Sequence, residues 1–251
     1  MARSANPRMR IISSEPVVGT ELTVVLPTYN EASSIADVVR EIRDVLTQSR
    51  IAYKILVLDD ASPDGTADLI DSQFALNPDI RVIRRTGPRG LAFSIREGLR
   101  EANAERILVM DADFNHNPSD IPRLLEQAPQ CDIVSGSRFL PGGGMYNQTR
   151  QRASRAMNLF VRFVLRSRIT DSLAGFFIIT RELAEALPED RIFWGYGDFY
   201  IRLLWYAEKQ GANILEIPVV YRSRESGESK TPLVRTALRY AFEIVKLAMR
   251  G

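Results

Sequence analysis

Ile107-Leu108-Val109-Met110-Asp111-Ala112-Asp113-Phe114-Asn115-His116-Asn117-Pro118 holds the transition on which the reading of this chain turns. Four apolar residues of strand type stop abruptly at two acids. Because strand side chains alternate in direction, Asp111 and Asp113 are expected to leave on one side of the chain and Ala112 on the other. Paired carboxylates repel unless a cation lies between them. Hard oxygen ligands on an open loop suit Mg²⁺ or Mn²⁺, which complete their shells with water and diphosphate oxygens. Taken alone, the pair also reads as a helix N-cap plus a solvated loop acid, because Ser119 and Asp120 open a helix-like stretch at 119–127. The rest of the chain decides between the two.

Upstream, the same step from strand through polar loop to helix recurs. Residues 21–27, ELTVVLP, form a β-branched run closed by proline. Tyr29-Asn30-Glu31 follow, and Ser33 can cap a helix with Ile35, Val38, Val39, Ile42 and Leu46 on one face. Residues 54–58 give a second strand, 59–65 an acidic loop (DDASPDG) and 66–74 a second helix. Residues 80–84 give a third strand, and Arg85-Thr86-Gly87-Pro88-Arg89-Gly90 leads into a helix at 91–101. Strands alternating with helices predict an α/β fold with a mainly parallel central sheet flanked by helices, Rossmann-like in layout. Ligands of such sheets bind beyond the carboxyl ends of the strands. Pro27–Glu31, Asp59-Asp60, Arg85–Gly90 and Asp111–Asp113 are all expected on that one rim. The spacing of Gly87 and Gly90 matches neither the dinucleotide nor the P-loop pattern, which argues against a nicotinamide or flavin enzyme.

The second half changes character. Residues 131–134 predict a strand ending in Ser135-Gly136-Ser137-Arg138, and Pro141-Gly142-Gly143-Gly144 reads as a mobile hinge or lid. Residues 150–168 place six arginines among Met157, Leu159, Phe160, Val161, Phe163, Val164 and Leu165. A helix is expected around 196–209 and a strand at 214–221, before a polar loop at 222–230. Pro232 suits the first turn of a closing helix, with Arg235, Arg239, Lys246 and Arg250 opposite Leu238, Ala241, Val245 and Leu247. Both basic amphipathic stretches are candidates for lying in a membrane interface, and neither is long enough to span one.

The chain has 251 residues, 45% hydrophobic and 25% charged, enough for a full core. A net charge of +2 gives no argument for a nucleic-acid partner. The single cysteine, Cys131, rules out an internal disulfide and a thiolate metal cluster, and favours a reducing, cytoplasmic setting. Residues 1–19 lack the apolar centre of a signal peptide. The expected division is a disordered tail at 1–20, a catalytic domain at 21–230 and a basic amphipathic helix at 231–251.

Six motifs occur in order: PTYNE at 27–31, DDASPDGT at 59–66, MDADFNHNP at 110–118, SGSR at 135–138, DSLAGFF at 171–177 and GESK at 227–230. Together they resemble the polyprenol-phosphate glycosyltransferases of glycosyltransferase family 2, the dolichol-phosphate mannose synthases among them. The resemblance implies a GT-A fold, a nucleotide-sugar donor (GDP-mannose), a polyprenyl or dolichyl phosphate acceptor, Mg²⁺ or Mn²⁺, and inversion at the anomeric carbon; the two basic amphipathic stretches add the expectation of peripheral attachment at the cytosolic face of a membrane. It also implies that Pro27, Tyr29, Glu31, Leu58 and Asp60 hold base and ribose. By the same likeness, Asp111, Ala112 and Asp113 meet the diphosphate through the metal, with Asn115 as a third ligand, and Arg138, Arg224 and Lys230 bind phosphates. The family usually carries a glutamate after its Gly-aromatic pair, whereas this chain has Gly195-Tyr196-Gly197-Asp198.

A phosphate monoester is already largely a dianion at neutral pH and needs no general base, so the cations matter most for such an acceptor. A sugar hydroxyl would need a base, and Asp198 is the candidate. A third reading is a nucleotide-sugar-binding protein without turnover. His116, the sole histidine, reads as loop structure, and Tyr196, Phe199, Trp205 and Tyr206 as packing.

Overall fold

The computed structural model describes residues 22–222 and 233–249. Glu21, the expected tail at 1–20, Arg224, Gly227, Lys230 and Pro232 lie outside these described residues. The elements run β1 (Leu22–Thr28), α1 (Ile35–Gln48), β2 (Tyr53–Asp59), α2 (Thr66–Gln73), β3 (Ile80–Arg84), α3 (Leu91–Glu101) and β4 (Arg106–Val109). They continue with α4 (Ile121–Gln127), β5 (Ile133–Ser137), β6 (Gly144–Met145), α5 (Gln148–Leu165), β7 (Phe177–Thr180), α6 (Arg181–Ala186) and α7 (Glu189–Ile192). The last are α8 (Phe199–Lys209), β8 (Ile214–Pro218), β9 (Val220–Tyr221) and α9 (Leu233–Met249).

Among the described residues, seven strands form one sheet in the order β3-β2-β1-β4-β7-β5-β8. β1 pairs in parallel with β2 and β4, setting Val25 opposite both Leu56 and Val109. β2 pairs in parallel with β3, and β5 with β8. β7 is antiparallel to both of its neighbours, so the sheet is mainly parallel. A sheet covered on both faces needs continuously apolar strands, and Leu22, Val24, Val25, Leu26, Ile55, Val57, Leu58, Ile107 and Leu108 are all fully buried. Ile35, Val38, Val39, Ile42 and Leu46 seal α1 onto it, as their spacing predicts.

Several local expectations are corrected. β4 ends at Val109, so Asp111 and Asp113 sit in a bend beyond the strand and strand alternation does not set their directions. Ser34, not Ser33, stands at the N-terminus of α1, and its hydroxyl reaches Glu31 and Ala112 instead of capping the helix. Asn117, whose side chain accepts from the Ser119 N–H, opens a 3₁₀ turn at Pro118–Asp120 ahead of α4. The strand expected at 131–134 runs later, through Ser137, and the one expected at 214–221 breaks at Pro218 into β8 and β9.

The Gly142–Gly144 stretch is a fastened turn. The Gly144 N–H donates to the Val219 carbonyl, β6 pairs with β9, and a Cβ on Gly143 would lie 2.5 Å from the Ser137 carbonyl oxygen. Close packing of backbone against backbone explains Gly143, where a hinge was expected.

Candidate functional site

The loops leaving β1, β2, β3 and β4 meet at the carboxyl rim of the sheet and are tied to one another. The Asp60 N–H donates to the Thr28 carbonyl (3.0 Å) and the Arg85 N–H to the Asp59 carbonyl (2.8 Å). The Asn30 N–H donates to Ser62 Oγ (3.0 Å) and the Glu31 N–H to Thr66 Oγ1 (3.1 Å). Ser34 Oγ lies 3.1 Å from Glu31 Oε2 and 3.2 Å from the Ala112 carbonyl, joining the first loop to the acidic bend. Asn30, Ala61 and Phe114 each adopt a left-handed φ, of 58°, 55° and 62°. Non-glycine residues held there are uncommon and concentrate at functional sites.

Asp60 is buried and fixed. Arg85 Nη1 donates to one of its oxygens (2.5 Å) and the Gly90 N–H to the other (2.6 Å). Arg85 is held in turn by Glu97, Ser94 and the Pro88 carbonyl. Asp59 accepts from the Ser62 N–H through Oδ2, while its buried Oδ1 has no hydrogen-bond partner among the described residues. The buried Asn30 Oδ1 is in the same state. Two orphaned acceptors at one rim are costly unless a ligand supplies donors, and a nucleoside does. Asp64 is held below the usual carboxylate range. Burial opposes this, but bonds from Thr66 Oγ1, the Ala32 N–H and the Thr66 N–H prevail.

Tyr29 is partly exposed, and Arg89 lies over its ring at 3.9 Å. The Leu58 side chain is fully buried, so only its backbone can face a nucleotide. Pro27 lies within β1, one residue from its end.

In the acidic bend, Asp113 is buried and its Oδ1 accepts the Asn115 N–H (3.1 Å), while Asp111 is more open. The Asn115 carbonyl accepts from the Arg222 N–H (3.0 Å), and Arg222 Nη2 donates to Asn117 Oδ1 (2.7 Å). Among the described residues, no group of three or more His, Cys, Asp and Glu side chains is arranged for a metal.

Arg138 is 6% exposed and does not stand open to solvent. Its Nε and Nη2 donate to the two oxygens of buried Asp171, each at 2.7 Å, and Nη2 also reaches Ser154 Oγ. The guanidinium lies 4.7 Å from the centre of the Tyr221 ring. Burial works against its charge, but Asp171 outweighs burial, Asp111 adds to the effect, and the arginine is held above its ordinary pKa.

Asp198 is buried as well. Its oxygens accept from Arg202 Nη1 (2.5 Å), Arg239 Nη2 (3.4 Å) and the Tyr196 N–H (2.9 Å). A carboxylate used this way is poorly placed to accept a substrate proton. The structure thus brings Asp60, Asp111, Ala112, Asp113 and Asn115 to one rim, and packs Arg138 and Asp198 into ion pairs.

Sequence reading placed Asn30, Asp59 and Arg85 on the rim without individual roles, and passed over Asp171 and the support of the acidic bend by His116. The motifs contained Asp59, Asn30 and Asp171. Only three-dimensional pairing separates their roles from those of their neighbours.

Residues 23–187 match the profile described as Glycosyl transferase family 2. The chain is 37% identical over 212 residues to an undecaprenyl-phosphate mannosyltransferase of Micrococcus luteus, covering 82% of this chain and 85% of that one. It is 33% identical over 238 residues to a polyprenol monophosphomannose synthase of Mycolicibacterium smegmatis, covering 91% and 87%. In fold it is similar to glucosyl-3-phosphoglycerate synthase from Mycobacterium tuberculosis, solved with Mn²⁺, uridine diphosphate and glucosyl-3-phosphoglycerate. That likeness has a TM-score of 0.67 at 20% identity and covers 92% of this chain and 79% of that one. The mainly parallel sheet is thus that of the GT-A glycosyltransferases, and this chain, a glycosyltransferase, belongs to glycosyl transferase family 2.

Proposed function

We propose that the protein transfers mannose from GDP-mannose to a polyprenyl phosphate, with inversion, at the cytosolic face of a membrane. The observation that carries this reading is that the loop after β1 is bonded both to the Asp59-Asp60 loop, at Thr28, and to the Asp111–Asn115 bend, through Ser34, on one rim of a family 2 fold. The names of the relatives support mannose and a lipid phosphate.

Asp111 and Asp113, with the Asn115 amide, would hold Mg²⁺ or Mn²⁺. These donors fit a hard cation, and their small number leaves positions for water and diphosphate oxygens, the pattern such ions use with nucleotides. When bound, the cation supplies charge neutralisation to the departing diphosphate. Tyr29, Glu31, Asn30 and the Asp59-Asp60 pair orient base and ribose. An acceptor phosphate oxygen attacks the anomeric carbon as its bond to the nucleoside diphosphate breaks. No proton needs to be removed, because the monoester is already largely dianionic at neutral pH.

Arg138 contributes through its positive field near Asp111, and Arg224 and Lys230, which lie outside the described residues, are the proposed phosphate contacts. The hydroxyl-acceptor reading is weakened by the arginines that occupy Asp198.

Peripheral attachment has a candidate surface. Leu238, Phe242, Val245 and Met249 recur at helical spacing along α9 and are exposed, as are Leu159 and Phe163 on α5 among Arg152, Arg155, Arg162 and Arg166. The exposed stripe of α9 differs from the expected one, since Leu247 is buried with Tyr240 and Ile244. No helix among the described residues is long and apolar enough to cross a membrane. The test is incubation with a panel of radiolabelled nucleotide sugars and polyprenyl phosphate. Organic-soluble label from GDP-mannose is expected, and label from another donor alone would reassign the sugar.

A further inference from the structure

His116 is completely buried, whereas the Asp111 side chain it faces is about a third exposed. The Asp111 N–H donates to His116 Nδ1 at 2.9 Å. A backbone N–H can only donate, so Nδ1 is the acceptor and the proton of the neutral ring sits on Nε2. Nε2 lies 3.7 Å from Asp111 Oδ2, beyond hydrogen-bond distance, so the bond to the peptide is the contact by which the imidazole fixes this residue. The ring is itself fixed. It stacks on Phe176 (centroids 4.9 Å apart, planes at 13°) and meets the edge of Tyr221 (4.6 Å, 69°), whose hydroxyl donates to the Ala174 carbonyl. These partners come from chain segments more than fifty residues away. The imidazole therefore transmits the position of the β7 and β9 region to the acidic bend.

We infer that His116 is a positioning residue for Asp111: its Nδ1 holds the Asp111 peptide so that the carboxylate at the start of this bend stands ready for a divalent cation. The inference rests on the reading that Asp111 is a cation ligand. It differs from the sequence expectation, in which His116 was loop structure. Groups that orient metal-binding side chains commonly change metal affinity about 10–100-fold when removed.

Asparagine and leucine have nearly the same shape and remove the ring equally. Asparagine alone keeps an acceptor at the place of Nδ1. The experiment compares the full-length wild type with His116→Asn, His116→Leu and Asp111→Asn. Mn²⁺ uptake is read by the loss of the free-ion electron paramagnetic resonance signal, in the presence of GDP or UDP, whichever raises wild-type affinity. Melting of each protein without ligand is recorded alongside. The expected result is a folded His116→Leu with Mn²⁺ affinity lowered about 10–100-fold and His116→Asn within about threefold of wild type. Equal affinities in the Asn and Leu variants overturn the inference. So does failure of both variants to fold, which would make His116 a packing residue. Asp111→Asn separates two failures: if it leaves uptake intact, the cation reading falls and the inference with it. If it abolishes uptake while His116→Leu retains it, the inference alone falls.

Discussion

Arg138 and Asp171 form a bidentate ion pair with two arms of 2.7 Å, closed off from solvent on both sides. Asp171 also accepts from Asn158 Nδ2 and from the Arg138 N–H, so Arg138 is the principal cation for a carboxylate that cannot reach water. Removing one partner of a buried pair commonly costs about 3–5 kcal/mol, because the other charge is left uncompensated. Arg138→Ala is therefore expected to lower unfolding free energy by about that amount in urea titrations. An unchanged urea midpoint with lost turnover would show instead that the guanidinium is committed to substrate.

Asp198→Asn tests the hydroxyl-acceptor chemistry. Loss of a general base lowers turnover about 10²–10⁴-fold. The ion pairs with Arg202 and Arg239 predict a different outcome: a reduced melting midpoint, with single-turnover rate at saturating donor within about tenfold of wild type. A well-folded variant with normal donor affinity and a rate down by more than a hundredfold would restore Asp198 as a base.

Gly143→Ala should destabilise by about 1–3 kcal/mol, since the added methyl meets the Ser137 carbonyl backbone at 2.5 Å and no side chain can move aside. Differential scanning calorimetry decides this. A neutral result would revive the idea of a mobile lid at 141–144.

The exposed stripe of α9 predicts that Leu238→Asp/Phe242→Asp weakens co-sedimentation with anionic vesicles while leaving melting unchanged, because both side chains are more than half exposed. Full vesicle binding by the double variant would move the docking surface elsewhere.

Burial raises the pKa of Glu216, against hydrogen bonds from Thr170 and the Asp171 N–H that lower it. A folded state that keeps its proton to higher pH gains stability that is fully present below the ordinary value of 4.5 and lost as pH rises through the raised value. The stability of the wild type relative to Glu216→Gln should accordingly decline across that window in urea titrations. A difference that grows with pH would contradict the assignment.

The β-loop-α steps up to Asp113 were legible in the sequence because each pairs an apolar run with a polar loop, and local patterning fixes both. Ile35 to Leu46 on α1 shows the same logic. The pairing of Arg138 with Asp171 and of Asp198 with Arg239 was not legible, since each joins residues tens of positions apart and an arginine reads the same whether it is buried or wet. The antiparallel β7 was hidden for a related reason: nothing in Phe177–Thr180 records strand direction. The exposed stripe of α9 was misplaced because Tyr240, which packs inward with Ile244 against Val161 and Ile201, is an equally good surface residue by composition.

The most direct test of the proposed reaction supplies GDP-[¹⁴C]mannose and Mg²⁺ or Mn²⁺ with either polyprenyl phosphate or the same polyprenol without phosphate. Organic-soluble label should form only with the phosphate and should vanish with EDTA or in Asp113→Ala. Label on the free polyprenol, or transfer to the phosphate that survives both EDTA and Asp113→Ala, would contradict metal-dependent transfer to a lipid phosphate.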